Sequence, residues 1–192
     1  MDQHFWDELY RESDRRWSGA PNAALVAEAS SLSPGRALDV GCGEGGDAHW
    51  LAEQGWQVTA VDISPVALER AAAAGNGHGV EWVHADPLAA PPSARAYDLV
   101  TAHYLPIPHE PDHAAVLGLL GAVAPGGVLL FVGHHIVEVP PDWRGPDPSM
   151  FYQPGEVAEL LDDEWTVEVN EIRLRPGATH HPEDIVLRAR RT

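Results

Sequence analysis

The 192-residue sequence has no lysine, a single cysteine and only two methionines. Each shortage excludes something. Cys42 alone rules out an internal disulfide and any multi-cysteine metal site. With lysine missing, all twelve basic residues are arginine, and 29 Asp and Glu outnumber them to give a formal net charge of −17. A surface so acidic repels phosphate backbones, so no nucleic acid is expected as partner and a small molecule is. No apolar run approaches the roughly 18 residues that cross a bilayer. The opening stretch Met1-Asp2-Gln3-His4-Phe5-Trp6-Asp7-Glu8 lacks the basic and apolar regions of a signal peptide. A cytoplasmic protein with no membrane partner is expected. Internal repeats and low-complexity linkers are also missing, so residues 1–192 read as one domain. Oligomeric state stays open between monomer and homodimer.

What is present centres on residues 36–64. Ala37, Leu38 and Val40 form a short apolar run that stops at Gly41, the pattern of a buried parallel strand. Gly41, Gly43 and Gly46 satisfy G-x-G-x-x-G, and Asp62 follows the first glycine by about 20 residues, the offset at which a carboxylate meets ribose hydroxyls. Glycine lets backbone approach a ligand where a Cβ would block it. A nucleoside-containing cofactor is the immediate implication.

Around this stretch, helices and strands alternate. Phe5 and Leu9 share a helical face within residues 3–17, and a second helix runs from Pro21-Asn22 to about Ser31. Beyond the glycine turn, Ala48, Leu51 and Ala52 mark a helix that Gly55 stops, and Trp56 to Val61 is a strand. Ser64 and Pro65 are an N-cap and a first-turn proline for a helix to Ala74. Strands follow at 80–84 and 97–102, a helix at 112–123, the turn Pro125-Gly126-Gly127, and a strand at 128–132. Residues 138–150 read as a long loop of the kind that forms a lid or a binding loop. A helix at 154–161 and strands at 164–174 and 184–190 complete the chain. The alternation predicts an α/β fold with a doubly wound, Rossmann-like, seven-stranded sheet, mostly parallel with an antiparallel C-terminal strand. With no helix between them, the last two strands pair as a hairpin near one edge.

The glycine turn suits two cofactor classes, dinucleotides and S-adenosylmethionine. Three features favour the second: Asp39 two residues before Gly41, where it supports the turn or faces a cofactor ammonium; a closing strand pair in place of a second mononucleotide-binding half; and Pro125-Gly126-Gly127 directly before the fifth strand. The stretch Ala37-Leu38-Asp39-Val40-Gly41-Cys42-Gly43-Glu44-Gly45, with Val61-Asp62-Ile63-Ser64 after the second strand, resembles motif I and its sequel in class I S-adenosylmethionine-dependent methyltransferases. His84-Ala85-Asp86, Tyr97-Asp98-Leu99-Val100 and Ala124-Pro125-Gly126-Gly127 resemble the later motifs, in order. Phe5-Trp6-Asp7, Arg16-Trp17-Ser18-Gly19 and Pro21-Asn22 resemble the branch of tellurite-resistance and thiopurine S-methyltransferases.

The resemblance implies a cofactor, S-adenosyl-L-methionine, leaving as S-adenosyl-L-homocysteine, and a small-molecule acceptor with a thiol or chalcogen nucleophile. It implies that residues 1–32 form a helical cap over the cofactor and residues 33–192 the α/β core. Gly41, Cys42 and Gly43 would present backbone to the methionine part, with Asp39 nearby and Trp17 closing the site. Asp62 would take the ribose hydroxyls, Ile63 would pack on adenine, and Asp86 with Pro87 would meet the adenine amino group. The alternatives are O- or N-methylation of a small molecule, an NAD-linked Rossmann oxidoreductase, and a cofactor-binding protein without turnover.

Methyl transfer from a sulfonium is an in-line displacement that positioning alone can accelerate, and only a poor nucleophile needs a base. The candidate imidazoles are His103, which with Tyr104 follows the fourth strand and adjoins the cofactor, and His134 and His135 after the fifth. Tyr104, His134, Trp143 and Tyr152 are the candidate acceptor wall. His134, His135, His180 and His181 do not make a metal site, since adjacent histidines on a strand point apart and ligand spacing is absent; no metal is expected.

Overall fold

The computed structural model of the chain describes residues 1–75, 79–136, 146–175 and 182–192. Among them a seven-stranded sheet runs in the order β3-β2-β1-β4-β5-β7-β6. Its strands are β1 Arg36–Val40, β2 Gln57–Asp62, β3 Val80–His84, β4 Tyr97–His103, β5 Val123–His134, β6 Trp165–Leu174 and β7 Glu183–Arg191. The first five are parallel neighbours, whereas β7 runs antiparallel to both β5 and β6. The seven-stranded, mostly parallel sheet expected from the alternation is therefore present, and its hairpin forms with β6 at the edge and β7 inserted beside β5.

Alternation within the central strands sorts side chains onto two apolar layers. Leu38, Val40, Val100 and Ala102 enter one, with α5 (Ala114–Ala122) and Phe131. Ala37, Leu99 and Val58 enter the other, with α2 (Ala23–Ala29) and α3 (Gly46–Glu53). A strand buried on both faces reads as a near-continuous apolar run, as β1 and β4 do. The polar exceptions, Asp39 on β1 and Thr101 and His103 on β4, fall on the face of Ala37 and Leu99.

The helix α4 (Pro65–Ala74) starts as its sequence demands: the Ser64 hydroxyl accepts the Ala67 N–H and Pro65 occupies the first turn. The same hydroxyl donates to Asp7 at 2.6 Å, which sets the docking of α1 (Gln3–Arg11). This corrects the expected face of α1. Its buried residues are Asp7 and Tyr10, while Phe5 is 42% exposed. The hydrogen-bonded carboxylate decides the helix's rotation, because a buried acid must keep its partners whereas an exposed phenylalanine costs little.

Strand β5 begins earlier than its apolar run suggests. Its register on β4 jumps from Tyr97–Val123 to Leu99–Val128, so Pro125-Gly126-Gly127 is an irregularity inside the strand and not a turn before it. The helix α6 (Pro154–Glu159) ends two residues before the expected boundary, with Leu160 as its C-cap. The loop expected over 138–150 lies mostly outside the described residues; its end forms a 3-10 turn, Pro148–Met150. No helix among the described residues is long and apolar enough to cross a membrane.

Candidate active site

The order β2-β1-β4-β5 reverses direction between β1 and β4, and it is beyond the carboxyl ends of strands at such a switch point that doubly wound sheets bind ligands. A cavity of about 680 Å³ opens there.

Its floor is the turn after β1. Gly41 and Gly43 have φ of +70° and +53°, in the left-handed region that side chains avoid. A Cβ on Gly43 would come within 2.9 Å of the Tyr10 hydroxyl, and one on Gly41 within 2.7 Å of the Leu105 side chain. The glycines thus keep open a bare backbone cradle beneath Tyr10 and Trp17. Asp62 secures it: its carboxylate accepts the Gly43 N–H and the Ser64 N–H, both at 2.8 Å. Burial raises the Asp62 pKa above the ordinary carboxylate value, against those donated hydrogen bonds. Cys42 between the glycines is buried and its thiol pushed well up by that burial, the state of a packing residue and not of a nucleophile.

The roof is the segment after α1, held by Glu44 of the turn and Asp47 of α3. Glu44 accepts the backbone N–H groups of Arg16 and Trp17 and pairs with Arg70 at 2.9 Å. Burial alone would raise the Glu44 pKa; the bonds from Trp17, Arg70 and Arg16 bring it below the usual value instead. Asp47, in the first turn of α3, accepts from both the backbone and the side chain of Asn22, at 2.6 and 2.8 Å. Trp17 is left 53% exposed over the cavity mouth.

Deeper in, Asp39 is buried and accepts the Thr101 hydroxyl at 3.0 Å across the switch point. Burial, and then the neighbouring Asp47 carboxylate, push Asp39 up to about 7 despite His103 and Thr101. His103, also buried, meets Asp47 through Nδ1 at 2.6 Å. Burial by itself would lower that imidazole; Asp47, with Asp39 and Asp184 beyond it, raises it overall. At the other end of the cavity the Tyr104 hydroxyl donates to Asp184 at 2.8 Å. The His134 Nδ1 meets the second Asp184 oxygen at 3.2 Å, and the two rings stack at 4.2 Å. The Arg175 guanidinium lies over the Tyr104 face.

Trp17, Asp39, Gly41, Cys42, Gly43, Asp62, Ile63, Asp86, Pro87, His103, Tyr104 and His134 all line this one cavity. Asp86 also serves a local purpose, its Oδ1 accepting the Leu88 and Ala89 N–H groups of a tight turn. Two candidates lie outside this cavity. His135, the residue after the end of β5, lines a separate shallow cleft and pairs with Glu183 at 3.0 Å. Tyr152 is buried in the α5 layer, its hydroxyl donating to the Glu110 carbonyl, and does not line the cavity. Trp143 lies outside the described residues. Among the described residues no group of three metal-ligating side chains occurs.

Four contributors were not legible beforehand: Tyr10, Glu44, Asp47 and Asp184. Asp47 carried a faint signal as an acid in the first turn of a helix, which the macrodipole favours. Asp184 carried none.

Residues 37–127 match the family described as methyltransferase domain. The matched stretch contains the glycine cradle and Asp62. Over just under half of its length, then, the chain is similar to a methyltransferase domain. Over 95 residues, half of this chain, the sequence is 38% identical to an uncharacterized methyltransferase of Mycobacterium tuberculosis, covering 48% of that relative. The chain thus spans about half the length of the curated relatives it matches. Among solved structures, the fold is similar to one concerned with conversion of a disulfide bond into a thioacetal group during echinomycin biosynthesis. That likeness has a TM-score of 0.76 and 27% identity, and covers 98% of this chain and 91% of that one. The N-methyltransferase NodS of Bradyrhizobium japonicum, in complex with S-adenosyl-L-homocysteine, shares the fold at a TM-score of 0.72 and 18% identity, covering 100% and 99%.

Proposed function

We propose that the protein transfers the methyl group of S-adenosylmethionine to a small-molecule acceptor. The carrying observation is the cradle of Gly41 and Gly43, tied to Asp62 and roofed by Tyr10 and Trp17. In this reading Asp62 receives the ribose hydroxyls, each carboxylate oxygen keeping a second lone pair beyond the N–H it already accepts. Ile63 packs on adenine, with Asp86 and Pro87 at its amino edge. Gly41, Cys42 and Gly43 offer backbone to the methionine part, and residues 1–32 cap the α/β core of residues 33–192. When bound, the cofactor supplies a methyl carbon activated by its sulfonium. The chain's task is to orient the acceptor against that carbon and exclude water, which the Trp17 roof and the Tyr104–His134 wall serve.

We infer that the acceptor is a thiol or other chalcogen nucleophile. Support comes from the similarity to the structure concerned with thioacetal formation, which is chemistry at sulfur. The N-terminal Phe5-Trp6-Asp7 and Arg16-Trp17-Ser18-Gly19 point the same way. Methylation at oxygen or nitrogen is the second reading. It is favoured by His134, since a phenol or amine gains from an imidazole at its side and a thiolate needs none.

The test offers labelled S-adenosylmethionine with thiols, selenite, tellurite, phenols and amines. Methylated thiol, selenium or tellurium product with little from phenols supports the first reading; the reverse supports the second. Calorimetric binding of NAD and not of S-adenosylhomocysteine would overturn the methyltransferase assignment.

A further inference from the structure

The hairpin of β6 and β7 closes against one end of the cavity. Arg175 directly follows β6, and its N–H donates to the Pro182 carbonyl at 2.7 Å, one step beyond the pairing of Leu174 with Glu183. The next residue of β7, Asp184, stands in register opposite His134 of β5. Tyr104 reaches the same corner through its backbone. Just past β4 it turns left-handed at φ +54°, a conformation that a bulky L-residue adopts only at a cost. The bond from its hydroxyl to Asp184 and its stack on His134 hold it there. Strain that persists because neighbours over-determine a side chain concentrates at ligand sites.

Charge sets this corner apart from the rest of the cavity. Asp39, Glu44, Asp47, Asp62, Asp86 and Glu110 line that cavity against two arginines. Arg16 pairs with Glu12 at 2.9 Å. Arg175 is half-buried, with its guanidinium carbon 5.2 Å from the centre of the Tyr104 ring. Among the described residues that guanidinium has no hydrogen bond and no salt bridge. The Asp184 oxygens are already met by Tyr104 and His134. A guanidinium stacked on a ring keeps its edge for a planar anion with two oxygens, which two parallel N–H donors bind together. Six carboxylates repel an anion from the rest of the cavity, so an anionic group lodges most favourably beside Arg175.

We propose that Arg175 determines the specificity of the acceptor site, and that the acceptor carries a carboxylate held by Arg175 while its body lies along the Tyr104–His134 wall. The inference rests on the methyl-transfer reading of the cavity and narrows the acceptor within it. Charge selects the anchor, whichever atom receives the methyl group.

The test sets two acids, para-mercaptobenzoate and para-hydroxybenzoate, against their neutral methyl esters, each offered to the full chain with labelled S-adenosylmethionine. The wild type is expected to methylate at least one acid, with a higher kcat/KM than for its ester. Loss of one charge-assisted contact corresponds to about 10-fold in affinity or more. Arg175→Gln is therefore expected to lower the acid-to-ester ratio of kcat/KM about 10-fold, through KM for the acid. Arg175→Lys keeps the charge but not the fork, and is expected to recover part of that ratio. Calorimetric affinity for S-adenosylhomocysteine is expected to stay within about 2-fold in both variants, reporting an intact fold and cofactor site. Equal use of acid and ester by the wild type, turnover of neither acid, or an Arg175→Gln ratio equal to the wild type's overturns the proposal. So does weakened S-adenosylhomocysteine binding in Arg175→Gln, which assigns the guanidinium to the cofactor. A wild type that binds no S-adenosylhomocysteine overturns the methyltransferase reading itself.

Discussion

The carboxylate of Asp62 accepts the backbone N–H of Gly43 at 2.8 Å, tying the end of β2 to the turn that follows β1. The acid therefore shapes the cradle before any ligand arrives, with its other oxygen on Ser64. Asp62→Ala removes this brace and the expected ribose contact together. S-adenosylhomocysteine affinity should fall at least ~10-fold by calorimetry, as for loss of a charged hydrogen bond. An unchanged affinity would remove Asp62 from the site.

Gly43→Ala tests the cradle from the other side. A Cβ there sits at φ +53° and meets the Tyr10 hydroxyl at 2.9 Å. The left-handed conformation alone costs about 1–2 kcal/mol for an L-residue. Chemical denaturation should show at least that loss, together with weaker cofactor binding.

Glu44→Gln should loosen the roof without dismantling the floor. The variant keeps one acceptor oxygen but loses the charge that holds the Arg16 and Trp17 N–H groups and Arg70. Amide hydrogen exchange of residues 15–18 is expected to accelerate, and the cofactor to leave faster in stopped flow. Protection equal to the wild type would show that the roof is held by its rings alone.

Asp39 links the site to pH. Its folded pKa of about 7 lies above the ordinary carboxylate value, so the free folded protein binds a proton that the unfolded chain has lost. Stability therefore falls as pH rises from about 4 to about 7, and the raised His103 acts in the same direction. Asp39→Asn should lose less melting temperature than the wild type between pH 5 and pH 8 buffers, roughly the span of that window. In the proposed methyl-donor site a cofactor ammonium facing Asp39 would favour its ionised form, so cofactor binding near pH 6.5 should release a proton, approximately where Asp39 titrates. Calorimetry in buffers of differing ionisation enthalpy reads that proton, and Asp39→Asn should show less of it.

His134 and His135 separate sharply despite adjacency. His135→Ala is expected to leave kcat and KM unchanged, because the ring lines another cleft. His134→Ala, which breaks the stack on Tyr104 and the bond to Asp184, should raise KM for the acceptor. Equal effects on both would mean that His134 has no special place at the acceptor wall.

Much of the fold was legible because it is written locally. The strand at Val80–His84 and the Ser64-Pro65 start of α4 have the bounds their residues suggest, since a cap and an apolar run act within a few positions of themselves. Helix α1 was legible as a helix but not in its orientation. Nothing near Asp7 in sequence reveals that Ser64 would be its partner. Tyr152 misled for a related reason: its place beside a long loop suggested a binding wall, whereas its ring completes the core against α5.

The sequence by itself determined the glycine cradle, the acid at the end of the second strand and the α/β alternation. These depend on backbone conformation and short-range periodicity, which a residue and its neighbours dictate. Tertiary structure alone decided which charged groups share the cavity. Asp39 and His103 come together because β1 and β4 pair in register, and Tyr104 and His134 share Asp184 because β7 inserts antiparallel beside β5. Strand order and register are long-range choices, and the chemistry of this site is built on them.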